Sequence, residues 1–429
     1  MDPDELQRVR SLLATSKSAW AVETYGTGEV GDANLADLGA AERDAAHALL
    51  SERALLQWAP PREISWPRVL SGECLANRLF ARRALINKAA LARALRCWRP
   101  TASTAADEGS DVNDVSHPCP ETHCVEDAED VEALRAKRGG AWVVKPAASS
   151  NANNIVFLSE GDALPPQLFA DGDAVQGDES SGRLDPADPA SARGRKTVGE
   201  WVMQRHIDMP LLTPDGRKFH VRAFLLVSGR LRAYLHDDCF ALVASRAYVP
   251  LVPSENEDGL PRPRQQQQQH DPFVHLTNRS VAVSDPTRRI GSDRGGGDGG
   301  DDDCLRPLAS VLPEDGSCAI EPVLARMRAA AGAVVAGMQR EGFKAFCPLQ
   351  TTFEIFGLDF LIASAPAGRV YLLEANACPR LFLSRTTVED ALPLLPEPLG
   401  DGGVVGSGGA DLPGPGRAER CGGWQQVFP

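Results

Sequence analysis

Apolar and polar residues alternate most sharply in Arg217-Lys-Phe-His-Val-Arg-Ala-Phe-Leu-Leu-Val227, where Phe219, Val221 and Ala223 interleave with Lys218, His220 and Arg222. A period of two is the mark of a strand, so one face is expected in a core and the other is cationic and polar. A turn at Ser228-Gly-Arg230 leads to Leu231-Arg-Ala-Tyr-Leu-His236 and predicts a hairpin. Two more apolar runs, Phe353-Glu-Ile-Phe-Gly-Leu-Asp-Phe-Leu-Ile362 and Arg369-Val-Tyr-Leu-Leu-Glu-Ala-Asn-Ala-Cys-Pro379, read as buried strands joined by a turn at 363–368. Strand–turn–strand blocks are predicted at 141–158, 200–248 and 353–376. A helix is predicted at 321–341, and helical regions at 4–58 and 74–99. Strands with a few helices place the chain in the α+β class.

Composition marks where this pattern stops. The 429 residues include 39 Gly and 32 Pro, and four segments read as disordered inserts: 101–130, 160–196, 251–271 and 284–318. The expected division is a helical region of unknown role at 1–65, a main domain at 66–395 and a disordered Gly-rich tail at 396–429. The net charge of −13 carries little information about partners, because 101–130 alone holds nine Asp and Glu and no Lys or Arg. Ten scattered cysteines favour reduced thiols. The opening Met-Asp-Pro-Asp-Glu has no basic stretch before an apolar core, and no apolar run reaches membrane-spanning length. A soluble, cytoplasmic protein with no membrane partner is expected.

The chemistry lies inside the strands. Glu374 and Asn376 are two apart and project from one face of their strand, and Asp359 lies in the strand before it. Acidic and amide oxygens in apolar strands need neutralising, and a hard divalent cation such as Mg²⁺ does this well, commonly together with nucleotide phosphates. Lys145 ends the strand Trp142-Val-Val-Lys-Pro146 and is one of only seven lysines. On its own it is an ordinary strand-end lysine; beside a phosphate it is a compact point charge. Lys218, His220 and Arg222 together suit an electrostatic clamp, the plainer reading being a solvated sheet face. Gln204 and the backbone of 205–207 offer donors and acceptors for an adenine edge, and His275, Thr277 and Asn278 are polar residues able to line a site.

Taken in order, Trp142–Pro146, 202–207, 217–222, 275–278, 353–360 and 372–379 resemble the tubulin–tyrosine ligase family, with a likeness to fungal and algal members in Arg82-Arg-Ala-Leu-Ile-Asn-Lys88. The resemblance implies an ATP-grasp-type fold, with mixed sheets either side of a nucleotide cleft. It also implies a ligase that uses ATP and Mg²⁺ to join an amino acid to a protein carboxylate through an acylphosphate, tubulin being one candidate acceptor. By position, Lys145 and Lys218 would contact phosphates, and Gln204, Arg205, His206 and Ile207 would hold adenine. Asp359, Glu374 and Asn376 would bind the metal, and Arg222, with His220, would serve the reacting groups. The chain departs from the family pattern in three places. The loop Ala147-Ala-Ser-Ser-Asn-Ala-Asn-Asn154 has no glycine, His220 stands where many members carry Asp, and Leu242 stands where tubulin-modifying members carry Arg.

Three other readings stay open. A nucleotide-binding interaction protein of the same fold, with lost or weak ligase activity, is the alternative function. His117, Cys119, His123 and Cys124 have zinc-type donors at poorly matched spacing, for which chance is the plainer account. The seven basic residues and absence of acid in 74–99 suit nucleic acid, although a solvated helix face is the plainer reading and nucleic acid is not an expected partner.

Overall fold

A computed structural model of the chain describes residues 56–59, 61–96, 117–127, 130, 139–148, 154–159, 162, 200–251, 271–287, 303–314, 316, 318–364, 368–377, 379, 391, 394–395 and 420–428. Strands β1 (Leu56–Gln57) and β2 (Leu75–Ala76) form a small parallel pair. A four-stranded sheet contains β3 (Thr122–Cys124), β4 (Trp142–Pro146), β5 (Val156–Leu158) and β6 (Trp201–Arg205), in the order β3-β6-β4-β5. The larger, eight-stranded sheet contains β7 (Arg217–Ser228), β8 (Arg232–His236), β9 (Phe240–Ala247), β10 (Leu305–Pro307), β11 (Phe353–Ile362), β12 (Val370–Ala377), β13 (Arg420–Cys421) and β14 (Trp424–Phe428). The helices are α1 (Trp66–Ser71), α2 (Arg83–Ile86), α3 (Lys88–Leu95), α4 (Pro272–His275), α5 (Arg279–Val283) and α6 (Ile320–Gln339). None of the described helices is long and apolar enough to cross a membrane.

The alternating strand β7 is the spine of the large sheet. Along one edge it pairs first with β9 and then with β8; along the other it pairs with β11, which pairs in turn with β12. Phe219, Val221, Ala223, Leu225 and Val227 enter the main core with Val323, Met327, Val334 and Met338 of α6 and Leu91 and Leu95 of α3. Removing those apolar faces from water is the main stabilising term. The opposite face carries Lys218, His220 and Arg222. Lys218 and His220 are buried there, so this face is not the solvated surface that alternation alone also permits.

The α+β class and the hairpin from β7 to β8 match expectation. The sheets are antiparallel throughout rather than mixed, since every described pairing inside both of them is antiparallel. The segment 74–99 is not one helix. It holds β2, α2 and α3, with an extended Asn87 (ψ 121°) breaking the helical path and capping α3 through its side chain. Two expected inserts contribute order: β3 lies in 101–130 and β10 in 284–318, each held by pairing with a distant strand. Residues 420–428 of the expected disordered tail form β13 and β14, and β14 adds to the edge of β8 with Trp424 fully buried. Leu56–Gln57, expected to be helical, form β1 and Trp58 is likewise not helical, so order begins before 66; residues 4–55 of the helical expectation, and 160–161 and 163–196, lie outside the described residues.

The basic residues of 74–96 are used internally. Buried Glu354 of β11 receives Arg82 Nη1 at 2.7 Å and the Leu79 amide at 3.0 Å, with Arg78 at 3.7 Å. Arg83 and Arg93 reach Glu200, Arg93 and Arg96 reach Asp127, and Lys88 reaches Glu374. These pairs hold the segment against both sheets.

Candidate active site

A cleft whose empty space, its open mouth included, is about 750 Å³ lies between the sheets, lined from the smaller one by Val143, Lys145, Phe157 and Gln204 and from the larger by Lys218, His220, Asp359 and Glu374. Arg205, His206 and Ile207 continue its wall, and His275, Thr277 and Asn278 close another side. Arg222 and Asn376 reach the same place through hydrogen bonds to Asp359. All eleven sequence-nominated positions therefore converge.

The cleft has two electrostatic halves. At one, Lys145 donates from Nζ to Gln204 Oε1 (2.9 Å) and to the Leu373 carbonyl (3.5 Å), while Lys218 Nζ approaches His206 Nε2 (3.4 Å) and the Tyr248 ring (6.0 Å to its centre). These partners are all neutral acceptors. Burial lowers both lysines to about 8, against which Glu374 raises Lys145 and Asp208 raises Lys218 only in part. Two buried ammonium groups without a directly bonded carboxylate make a receptor for an anion.

At the other half, charge is already paired. Arg222, Asp359 and Glu374 stand opposite one another on three adjacent strands. Arg222 holds Asp359 in a fork, Nε to Oδ1 at 2.5 Å and Nη2 to Oδ2 at 3.0 Å, and Asn376 Nδ2 donates to Oδ2 at 2.9 Å. Burial would raise the Asp359 pKa, but Arg222, His220 and Asn376 together bring it below the usual value. A Cβ on Gly357 would lie 3.0 Å from Arg222 Cδ and 3.1 Å from Pro379, so the missing side chain leaves room for the fork. Between β11 and β12 the register slips after Asp359, leaving Leu373 as an extra residue. That bulge lets the neighbours Leu373 and Glu374 both line the cleft and aims the Leu373 carbonyl at Lys145.

Several of these side chains also have partners inside the protein. Gln204, expected at adenine, accepts from Lys145 and donates to Thr122 Oγ1 at 3.0 Å. The Arg205 guanidinium lies over Trp142 (5.4 Å) and bonds the Gly139 carbonyl. His220 Nδ1 meets Thr277 Oγ1 at 2.5 Å, and Nε2, 3.6 Å from Asp359 Oδ1, is buried with no hydrogen-bond partner. Burial lowers its pKa against the pull of Asp359, which keeps the imidazole neutral at pH 7. Leu242 pairs opposite His220. In the glycine-free loop, Asn154 adopts the left-handed backbone (φ 58°) that asparagine tolerates. Lys88, not nominated as a site residue, brings its Nζ within 3.0 Å of Glu374 Oε2. Its signal was a lone lysine following asparagine, invisible while the segment read as one helix. The His117, Cys119, His123 and Cys124 donors do not gather: His117 bonds backbone carbonyls and His123 meets Glu121 and Asp130.

The donor set of Asp359, Glu374 and Asn376 is hard oxygen throughout and fits Mg²⁺, which favours carboxylates together with phosphates. The two carboxylates are held by Arg222 and Lys88, the two groups with which a bound Mg²⁺ would compete.

Two antiparallel sheets facing across a cleft lined by cations and carboxylates form an ATP-grasp arrangement. The chain belongs to the tubulin–tyrosine ligase family, whose sequence model matches residues 86–392. It is similar, at 27% identity over 242 residues, to a "probable tubulin–tyrosine ligase" of Schizosaccharomyces pombe, the match taking in 56% of this chain and 51% of that protein. It is also similar, at 25% over 250 residues, to the "probable tubulin–tyrosine ligase" PBY1 of Saccharomyces cerevisiae, over 56% of this chain and 30% of that one. The chain thus spans about half or less of these curated relatives. A solved structure described as the C-terminal domain from K. lactis Pby1, an ATP-grasp enzyme interacting with the mRNA decapping enzyme Dcp2, matches with a TM-score of 0.46 and 20% identity, over 81% of this chain and 85% of that one. That likeness is too low to add to the assignment.

Proposed function

We propose that the chain is an ATP-dependent carboxylate–amine ligase that joins an amino acid to a protein carboxylate, tubulin being one candidate acceptor. The observation that carries this reading is the division of the cleft: two buried lysines with neutral acceptors at one half, and two carboxylates with an amide at the other. A polyphosphate satisfies the first half. Mg²⁺ held by Asp359, Glu374 and Asn376 would supply charge neutralisation between the carboxylates and the phosphates. Lys145 and Lys218 orient the phosphates, and the Arg222 guanidinium stands where negative charge builds up. In the reaction a carboxylate oxygen takes the γ-phosphoryl group and ADP leaves; the amine nitrogen then attacks the acyl carbon, phosphate leaves, and the amine gives up a proton. The amides of Arg205 and His206 are committed to the carbonyls of Glu121 and Ala141, so adenine recognition by this run uses its carbonyls or Ile207.

The test is ATP-dependent incorporation of labelled amino acids into protein acceptors, tubulin included, by the full chain. Incorporation is expected with at least one amino acid. A second reading, a nucleotide-binding interaction protein, is favoured by the carboxylates being occupied by Arg222 and Lys88 and by the glycine-free loop. MgATP binding without incorporation supports that second reading, and absence of binding in a folded sample defeats both.

Binding should also report on the lysines. Phosphates raise the pKa of a contacting lysine, so the bound-state values lie above the free-state values of about 8. Affinity is then full below pH 8 and falls as pH rises through and above it. Titration calorimetry should give a loss of roughly tenfold for each lysine between pH 7 and pH 9. A flat profile over that range would mean that neither lysine meets the phosphates.

A further inference from the structure

His206 is buried in the cleft wall, and both of its ring nitrogens are engaged in one direction. Nδ1 lies 3.0 Å from Asp208 Oδ1 and Nε2 lies 3.4 Å from Lys218 Nζ. A carboxylate oxygen accepts, so Nδ1 carries the hydrogen; an ammonium donates, so Nε2 presents its lone pair. The two contacts demand the same neutral tautomer. Burial, the Lys218 charge and the counter-pull of Asp208 leave His206 at about 4, consistent with that state. The ring is fixed edge-on by Phe157 (6.2 Å, 84°) and His275 (6.1 Å, 81°), and the Tyr248 hydroxyl bonds the Asp208 carbonyl at 3.0 Å.

The consequence concerns charge. A carboxylate placed directly on Lys218 would neutralise it, as Glu374 does for Lys88 and Asp359 for Arg222. An imidazole lone pair fixes the ammonium in space and leaves its charge for an incoming anion. Asp208 acts one residue removed, by holding the ring in the accepting tautomer, in the way that outer partners orient a histidine ligand.

We propose that His206, oriented by Asp208, is the positioning residue for Lys218, and that its side chain serves the phosphate end of the cleft rather than adenine. The inference rests on the nucleotide reading above. Glutamine can set an amide oxygen near the place of Nε2, whereas asparagine reaches only the place of Nδ1. His206→Gln should therefore retain a hold on Lys218, and His206→Asn should keep the bond to Asp208 and lose the one to Lys218.

The experiment measures MgATP affinity by titration calorimetry for the full chain, His206→Gln, His206→Asn, Lys218→Met and the Asn/Met double variant, with melting curves to establish folding. Lys218→Met is expected to bind about 10- to 100-fold more weakly, the range for losing one charge-assisted bond. His206→Asn should lose about tenfold, His206→Gln less than about threefold, and the double variant should bind no worse than Lys218→Met alone. Should His206→Asn fail to fold, Asp208→Leu, which removes the tautomer's partner at a half-exposed position, takes its place with the same expected coupling. His206→Asn binding as tightly as the unsubstituted chain, or its loss multiplying with that of Lys218→Met, would overturn the inference while leaving the nucleotide reading intact. No binding by the unsubstituted chain would overturn both.

Discussion

Glu374→Gln should leave ATP-dependent amino-acid incorporation about 10³-fold below that of the unsubstituted chain, the scale of removing one charge-stabilising group from a reacting centre. The substitution keeps the shape of the side chain and deletes its charge. Of the two carboxylates that line the cleft, Glu374 is the more open to it. It is partly exposed (22%), whereas Asp359 is 4% exposed and has Arg222 and Asn376 on both oxygens. Glu374 is therefore the carboxylate that would be more readily available to hold a cation between this wall and the phosphates. The predicted loss in turnover goes beyond any loss in folding: glutamine keeps an oxygen beside the buried Lys88 ammonium but not the charge that balances it, so the melting temperature should fall somewhat. Nucleotide affinity measured well below that transition and without divalent cation should be kept or increased, since a negative charge has left the cleft that takes the phosphates. Incorporation within tenfold of the starting chain would remove Glu374 from the mechanism.

The two halves of the cleft were legible to different degrees. Period-two alternation in β7 and the carboxylates in β11 and β12 were readable because a strand has a fixed side-chain period and because buried charge is costly without a purpose. The partners of those charges were not readable. Lys88 meets Glu374, Gln204 meets Lys145, and His206 meets Lys218 through the packing of one sheet over another, and none of these contacts has a local sequence signature. Helical composition in 74–99 concealed the break at Asn87, where an extended residue caps α3 and turns Lys88 toward the carboxylates. β3 and β14 are short, follow long stretches of biased composition, and exist only because a distant edge strand accepts them. In each case tertiary pairing overrode local composition.

The strand β14 makes the strongest stability prediction. Trp424 is fully buried among Phe224, Leu226, Tyr234, Phe353 and Ile355, and its ring meets His236 edge-on at 4.9 Å. The backbone of the same strand packs so closely on α6 that a Cβ on Gly332 would lie 2.6 Å from the Val427 carbonyl. Trp424→Ala empties a site that this core cannot refill without moving β8, and the expected cost is about 3–5 kcal/mol, seen as a fall in melting temperature of roughly 5–10 °C. Trp424→Phe should lose distinctly less, because an aromatic ring still fills much of the space. The effect should reach the cleft, since β8 pairs directly with Leu225–Ser228 at the far end of the strand that carries Lys218, His220 and Arg222. MgATP affinity of Trp424→Ala should therefore match the unsubstituted chain well below its melting transition and collapse at a lower temperature. A Trp424→Ala protein that melts within a degree of the unsubstituted chain would show that β14 lies against the sheet without belonging to its core.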